Sequence, residues 1–246
     1  CATCCVFNSE YNKESFLAAG RDLLRRLPDA VPKGWIEELR AKSVVIGVPL
    51  DLPARDAIRD VARDAPERAL GPIILWNHRW EHDKNPDAFF GALRVLVDQK
   101  IPFRVIVCGE QNRRAPQVFG EARGWLGDRV VHWGYAERQE DYGALLQKAQ
   151  MVVSTAHQEF FGISVMEAVD AGAMPLVPDR LSYRELWGAE WRYGSQEQLV
   201  ERLRVYCLAW VEGSHLRADR GDITKCFRAD VVCGQFETLF TKLVEV

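Results

Sequence analysis

At 246 residues, with 48% hydrophobic and 27% charged side chains, the chain has room for one large or two modest globular domains with a charged surface. A formal net charge of −3 gives no global reason to bind nucleic acid or an acidic membrane, no apolar run is long enough to span a bilayer, and no secretion signal opens the sequence. The seven cysteines are an odd number without a repeated CxxC pattern, which reads as buried, reduced thiols of a cytoplasmic protein rather than a metal site.

The chain opens at Cys1 in mid-strand, which predicts a piece of a longer protein. Cys4–Phe7 reads as a short strand, Asn8-Ser9 as a turn and helix cap, and Tyr11–Leu27 as a helix broken by Pro28, Pro32 and Gly34. Ser43–Val48 reads as a second strand. Residues 51–70, with alternating charge, read as an exposed linker with some helix. A regular alternation then begins. Pro72–Trp76 is a buried-type strand, and Asn85-Pro86 caps a helix that lines up Phe89, Phe90, Leu93, Leu96 and Val97 on one face. Phe103–Cys108 and Arg129–Trp133 are strands separated by an arginine-rich stretch. A helix follows over Glu137–Ala149, then a strand Met151–Ser154, a helix Ile163–Ala171 and a strand Met174–Val177. Ser195–Trp210 and Arg228–Val246 close the chain as helices. Strands alternating with helices predict an α/β fold with a parallel sheet covered on both faces.

Two loops of this pattern carry chemistry. In Glu159-Phe160-Phe161-Gly162-Ile163-Ser164-Val165-Met166-Glu167, a glycine at a helix start stands between two carboxylates. Backbone N–H groups around Gly162 suit a diphosphate. Glu167, a turn into the helix, suits a ribose diol, and Glu159 in the loop suits the sugar itself. The second loop, Trp76–Pro86, leaves the end of a strand, where open parallel sheets bind ligands. Its Arg79 offers a planar fork for phosphate oxygens and Lys84 a mobile point charge, enough to neutralise a leaving diphosphate without a metal.

Plainer readings stand beside these. Arg79 and Lys84 also suit surface ion pairs, and Glu159 and Glu167 suit helix N-terminal charges. His78-x-x-Glu81-His82 spells a zinc-peptidase signature, yet that chemistry needs both imidazoles on one helical face, and no helix starts cleanly before Asn85-Pro86. His132 and His157 suit a polar loop or the core more than catalysis, and Trp76, Trp80 and Trp133 suit the core or the cleft wall more than stacking platforms. Arg113 and Arg114 suit a solvated turn more than an RNA contact.

Together the two motifs resemble the retaining glycosyltransferases of the GT-B fold, family 4 type. In longer blocks, Phe7–Phe16, His78–Pro86, Glu159–Val165 and Arg180–Tyr183, the sequence is similar to the tRNA-queuosine mannosyltransferase group. The resemblance implies a Rossmann-like donor domain with the remnant of a second Rossmann-like domain. Residues 1–50 then end the N-terminal (acceptor) domain, 51–70 link, 71–227 bind the nucleotide sugar, and 228–246 form a helix crossing toward the N-terminal domain. It implies transfer of mannose from GDP-mannose to queuosine in tRNA with retained configuration, by a protein of the cytoplasm with no membrane partner. No cofactor or metal is expected beyond the donor. By the same resemblance Arg79, Lys84 and Glu159 act in catalysis. Phe161, Gly162, Ile163, Glu167, His132 and Trp133 line the donor, the last two beside its base. Polar residues of the absent N-terminal half complete the site, so that this piece alone binds nucleotide better than it catalyses. The chain departs from many family 4 enzymes in carrying Asn77-His78 where they have glycine before the basic residue. Two other expectations compete: a non-catalytic nucleotide- or RNA-binding module of the same fold, and a related transferase acting on a lipid or small glycan.

Overall fold

The amino-terminal segment builds a small parallel sheet of its own. β1 (Cys5–Phe7) pairs in register with β2 (Ser43–Val45), and α1 (Glu10–Leu24) and α2 (Trp35–Ala41) connect them. The computed structural model describes residues 2–27, 33–51, 65–111, 114–214 and 224–244. Pro28, Pro32, Cys1, Arg113 and most of the linker segment lie outside these residues. The described end of that segment, Ala65–Ala69, is a short helix, α3. Helix α1 stops at Leu24 rather than Leu27, and α2 was not expected, because Gly34 caps the new helix at φ 80 instead of merely ending the old one.

The larger sheet starts at β3 (Ile73–Trp76) and continues through β4 (Arg104–Cys108), β5 (Val130–Gly134), β6 (Met151–Val153), β7 (Met174–Pro178) and β8 (Arg192–Tyr193). Among the described residues its order is β5-β4-β3-β6-β7-β8, with every pairing parallel. The order runs outward from β3 in one direction and then, through β6, in the other. The crevice beyond the carboxyl ends of β3 and β6 is therefore the topological switch point, where such sheets take ligands.

Alternation along β3 shows how both faces are buried. Ile74 and Trp76 join one core with Phe89, Leu93 and Leu96 of α4 (Pro86–Asp98), Phe119 of α5 (Val118–Leu126) and Leu203 of α9 (Gln196–Glu212). Ile73 and Leu75 join a second core with Leu145 of α6 (Gln139–Lys148), Val165 and Met166 of α7 (Ile163–Asp170), and Tyr183 of α8 (Tyr183–Leu186). This is the pattern of a parallel sheet clad by helices on both sides. The carboxyl-terminal helix α10 (Ala229–Val244) is tied at its start to the amino-terminal segment, where Leu50 N donates to Phe227 O at 2.8 Å and Ala229 N to Leu50 O at 3.0 Å.

Candidate functional site

The loop after β3 folds across the end of β4 because residue 109 is glycine: a Cβ there would stand 1.9 Å from the His78 carbonyl oxygen. Trp80 anchors the fold-over, its backbone N–H donating to Glu110 O at 2.9 Å and its indole stacked on Phe119 with ring centroids 4.2 Å apart. His82–Lys84 then make one 3-10 turn, and Asn85, at φ 50, caps α4. This turn carries Lys84 into the cleft. Its side chain is 11% exposed, with Nζ 2.9 Å from the Gln158 carbonyl, 3.2 Å from Asp83 and 3.6 Å from Glu159. Arg79 is different: 62% exposed and 3.2 Å from Glu81. The two histidines of the zinc-like signature are separated, His78 buried and His82 exposed at the start of the 3-10 turn. Among the described residues no cluster of His, Cys, Asp and Glu stands close enough to hold a metal ion.

The loop after β6 meets Lys84 from the other side. Gly162 sits at φ 92, and a Cβ on it would come within 2.9 Å of the Tyr183 ring, so this turn takes glycine for both conformation and space. Three successive carbonyls are held from outside. Gln158 O accepts from Lys84 at 2.9 Å, Glu159 O from Ser182 at 3.5 Å, and Phe160 O from Ser9 at 2.7 Å. With the carbonyls drawn outward, the N–H groups of Phe160, Phe161 and Gly162 converge on one point, 3.1, 3.4 and 3.0 Å from Glu159 Oε1. Converging amides of this kind make an anion nest. The sequence assigned the amides around Gly162 to a diphosphate; here the Glu159 carboxylate takes them, because its side chain is short enough to fold back onto its own loop.

A cavity of about 490 Å³ opens beside these loops at the ends of β3, β4 and β5. Asn77, His78, Arg79, Glu110, Tyr135 and Tyr142 are among its walls. Beneath it runs a buried polar network. Asn77 Nδ2 donates to the Ser164 carbonyl at 2.8 Å and to Tyr142 Oη at 3.0 Å, and Tyr142 donates to Glu167 Oε2 at 2.7 Å. Burial raises the Glu167 pKa above the usual carboxylate value, while the bond from Tyr142 pulls the other way. Burial also dominates at His78, pushing it from 6.5 down to about 4, with Lys84 adding to the effect and Glu159 opposing it. His78 Nδ1 lies 3.2 Å from Ser164 Oγ.

Of the residues singled out from sequence, Lys84, Glu159 and Gly162 meet in one place. Arg79 lines the cavity, and Glu167 reaches its wall through Tyr142. Ile163 is 42% exposed at the start of α7, whereas Phe161 is buried with its ring 4.9 Å from that of Phe227. His132 and Trp133 are not among the residues lining the cavity. A register shift in the β4–β5 pairing skips Val131 and turns Trp133 onto Trp80, at 5.7 Å, and Phe90, while His132 Nε2 stays on Gly134 O. The strand runs on to Gly134, so the residue that reaches the cavity is Tyr135. Asn77 and Tyr142 were passed over, since single polar residues far apart in sequence give no motif.

Residues 59–193, more than half of the chain, match the family described as Glycosyl transferases group 1. The chain belongs to the group 1 glycosyl transferases. Residues 1–50 match a second pattern, described as tRNA-queuosine alpha-mannosyltransferase N-terminal. The tRNA-queuosine alpha-mannosyltransferase of Drosophila melanogaster is 33% identical over 207 residues, 82% of this chain and 54% of the fly protein. The GDP-mannose:cellobiosyl-diphosphopolyprenol alpha-mannosyltransferase of Xanthomonas campestris is 29% identical over 46% of the chain and 30% of its own length. This group 1 transferase thus spans about half, or less, of the relatives it matches. Among solved structures, Anabaena HepE in complex with UDP superposes with a TM-score of 0.70 at 16% identity, covering 98% of this chain and 64% of that one. Sucrose-phosphate synthase of Thermosynechococcus elongatus gives 0.70 at 17%, covering 100% and 59%. These likenesses show the fold: a GT-B type architecture in which the larger parallel sheet is Rossmann-like and β1–β2 form a second parallel sheet. Among the described residues no helix is long and apolar enough to cross a membrane.

Proposed function

We propose that this chain is the donor-binding part of a retaining transferase that moves mannose from GDP-mannose to queuosine in tRNA, in the cytoplasm and without a metal ion. The observation that carries the reading is the 33% identity, sustained over 82% of the chain, to an enzyme named a tRNA-queuosine alpha-mannosyltransferase; GDP-mannose as donor follows the name of the Xanthomonas relative. The geometry supports it. Lys84, and Glu159 held by the amides of Phe160–Gly162, lie at the switch point of the sheet, where Lys84 supplies fixed positive charge for a diphosphate. In this reading Lys84 and Arg79 meet the departing diphosphate, Glu159 meets the sugar, and Glu167 meets the ribose through the wall it shares with Tyr142. Phe161 holds the loop from within the core, and Ile163 lies at the open side. Residues 1–50 close the acceptor side, 51–70 link, 71–227 hold the donor, and 228–246 form the helix that returns to Leu50. The test is transfer of labelled mannose by the complete protein to queuosine-containing and queuosine-free tRNA. Label on the first alone is expected; equal labelling of both refutes queuosine recognition, and absence of GDP-mannose binding refutes the donor.

A further inference from the structure

Ser9 is the cap of α1, yet its hydroxyl has a second partner 151 positions away. Oγ accepts from Asn12 N at 3.0 Å, which caps the helix, and donates to the Phe160 carbonyl at 2.7 Å. A hydroxyl carries one proton, and the shorter contact takes it; the Asn8 side chain, at 3.3 Å, is the longer alternative. Ser9 itself is 1% exposed, while Phe160 is half exposed, so the bond is shielded from the Ser9 side. The same helix end is gripped from a second direction, where the Glu185 carboxylate accepts from Glu10 N and Tyr11 N, both at 3.1 Å. The Tyr11 ring lies 6.4 Å from that of Phe160.

Of the three side chains that hold the loop carbonyls, Lys84 and Ser182 come from the large sheet's own connections, and Ser9 comes from the small sheet. Swinging the Phe160 peptide would move the Phe161 N–H, since the carbonyl and the next N–H share one plane. Releasing Phe160 O therefore opens the nest at Phe161 first. We propose that Ser9 is a positioning residue: it sets the donor-sugar loop from the opposite sheet, so that the amides and Glu159 are in place only when α1 is docked. The inference rests on the donor reading given above. It follows that Ser9 affects the alignment of the sugar more than the hold on the nucleotide, which the cavity, Lys84 and Arg79 supply.

The test separates capping from clamping in the complete protein, with GDP-mannose as the probe. Ser9→Thr keeps both bonds. Ser9→Asp keeps the cap, since aspartate is a good cap residue, but its carboxylate cannot donate to a carbonyl. The expected result is near wild-type turnover for Ser9→Thr. For Ser9→Asp, kcat should fall about 10- to 100-fold, the scale of a small misplacement of reacting groups. KM for GDP-mannose should stay within about threefold; Tm should fall, because a carboxylate is buried against the Phe160 carbonyl, so the split between kcat and KM and not Tm carries the test. Wild-type kcat in Ser9→Asp overturns the clamp, and so does a parallel loss of nucleotide affinity, which marks a structural role alone. Wild-type protein that binds no GDP-mannose sinks the donor reading itself, a different result from either.

Discussion

The loops after β3 and β6 face the same cleft but meet negative charge by different means. The β6 loop does it with backbone, turning three amides onto its own Glu159 carboxylate while Lys84, Ser182 and Ser9 hold its carbonyls. The β3 loop does it with side chains, and its two cations are unequal: Lys84 is ringed by Gln158 O, Asp83 and Glu159, whereas Arg79 has Glu81 beside it and solvent around it. A group held in place before the reaction costs no reorganisation during it. Two basic residues that look alike in a motif are thus expected to contribute very differently, and Lys84 also ties the two loops together.

The largest expected effect is therefore at Lys84. Lys84→Ala removes the cation between Asp83 and Glu159 and releases the Gln158 carbonyl, so both loops lose definition. Transfer is expected to fall about 100- to 1,000-fold, the usual cost of one preorganised electrostatic group. Lys84→Arg should not restore it, because a planar fork does not fit where a point charge is held on three sides. Steady-state kinetics of the complete protein decide this. Activity within tenfold of wild type would mean that Lys84 is not the group that stabilises the departing charge.

Next in size is a pH effect confined to the β3 loop. His78 is held from 6.5 down to about 4, chiefly by burial. A depressed pKa contributes stability above pH 6.5, and that stability is lost as the pH falls through about 4. The full span is worth roughly 3 kcal/mol. Urea unfolding at pH 7, 5.5 and 4 should show wild type losing more stability than His78→Gln. Parallel curves would mean that the buried imidazole finds a partner for its charge.

This comparison also marks how far the chain could be read. The strands were plain because fully apolar runs such as Ile73–Trp76 and Val105–Cys108 have few other uses. Helix α5 was hidden: Phe119, Ala122 and Leu126 give it a buried stripe, but Gly120, Gly124 and Arg123 between them made the stretch read as loop. In the site, residue type announced Lys84, Glu159 and Gly162. What no residue type announces is where backbone amides point, so the return of Glu159 onto its own loop was illegible. So was the Asn77–Tyr142–Glu167 chain, whose members are brought together by β3, α6 and α7.

A smaller effect is expected at Arg79. Its removal should change unfolding free energy by less than about 0.5 kcal/mol, as for other exposed ion pairs. Affinity for GDP-mannose should nonetheless weaken about tenfold, near 1.4 kcal/mol, if the guanidinium swings onto the diphosphate. Calorimetry on Arg79→Ala checks both arms. Unchanged affinity would leave Lys84 as the loop's working cation.

The smallest expected change sharpens the reading of the wall between the loops. Asn77 donates to the Tyr142 oxygen, so the tyrosine's own proton must go to Glu167. That bond opposes the rise that burial imposes on the Glu167 pKa. Tyr142→Phe removes the opposition and moves the pKa further up. A raised carboxyl pKa favours the folded state at low pH, and the advantage is lost as the pH rises from the ordinary 4.5 through the folded value. The variant should thus be weakest near neutrality, by about 1 kcal/mol for the lost bond, and converge on wild type in acid, where Glu167 is protonated in both. An equal deficit at every pH would assign Tyr142 to packing. Convergence in acid would show instead that it keeps the Glu167 carboxylate ionised, in the form that can accept the two hydroxyls of a ribose.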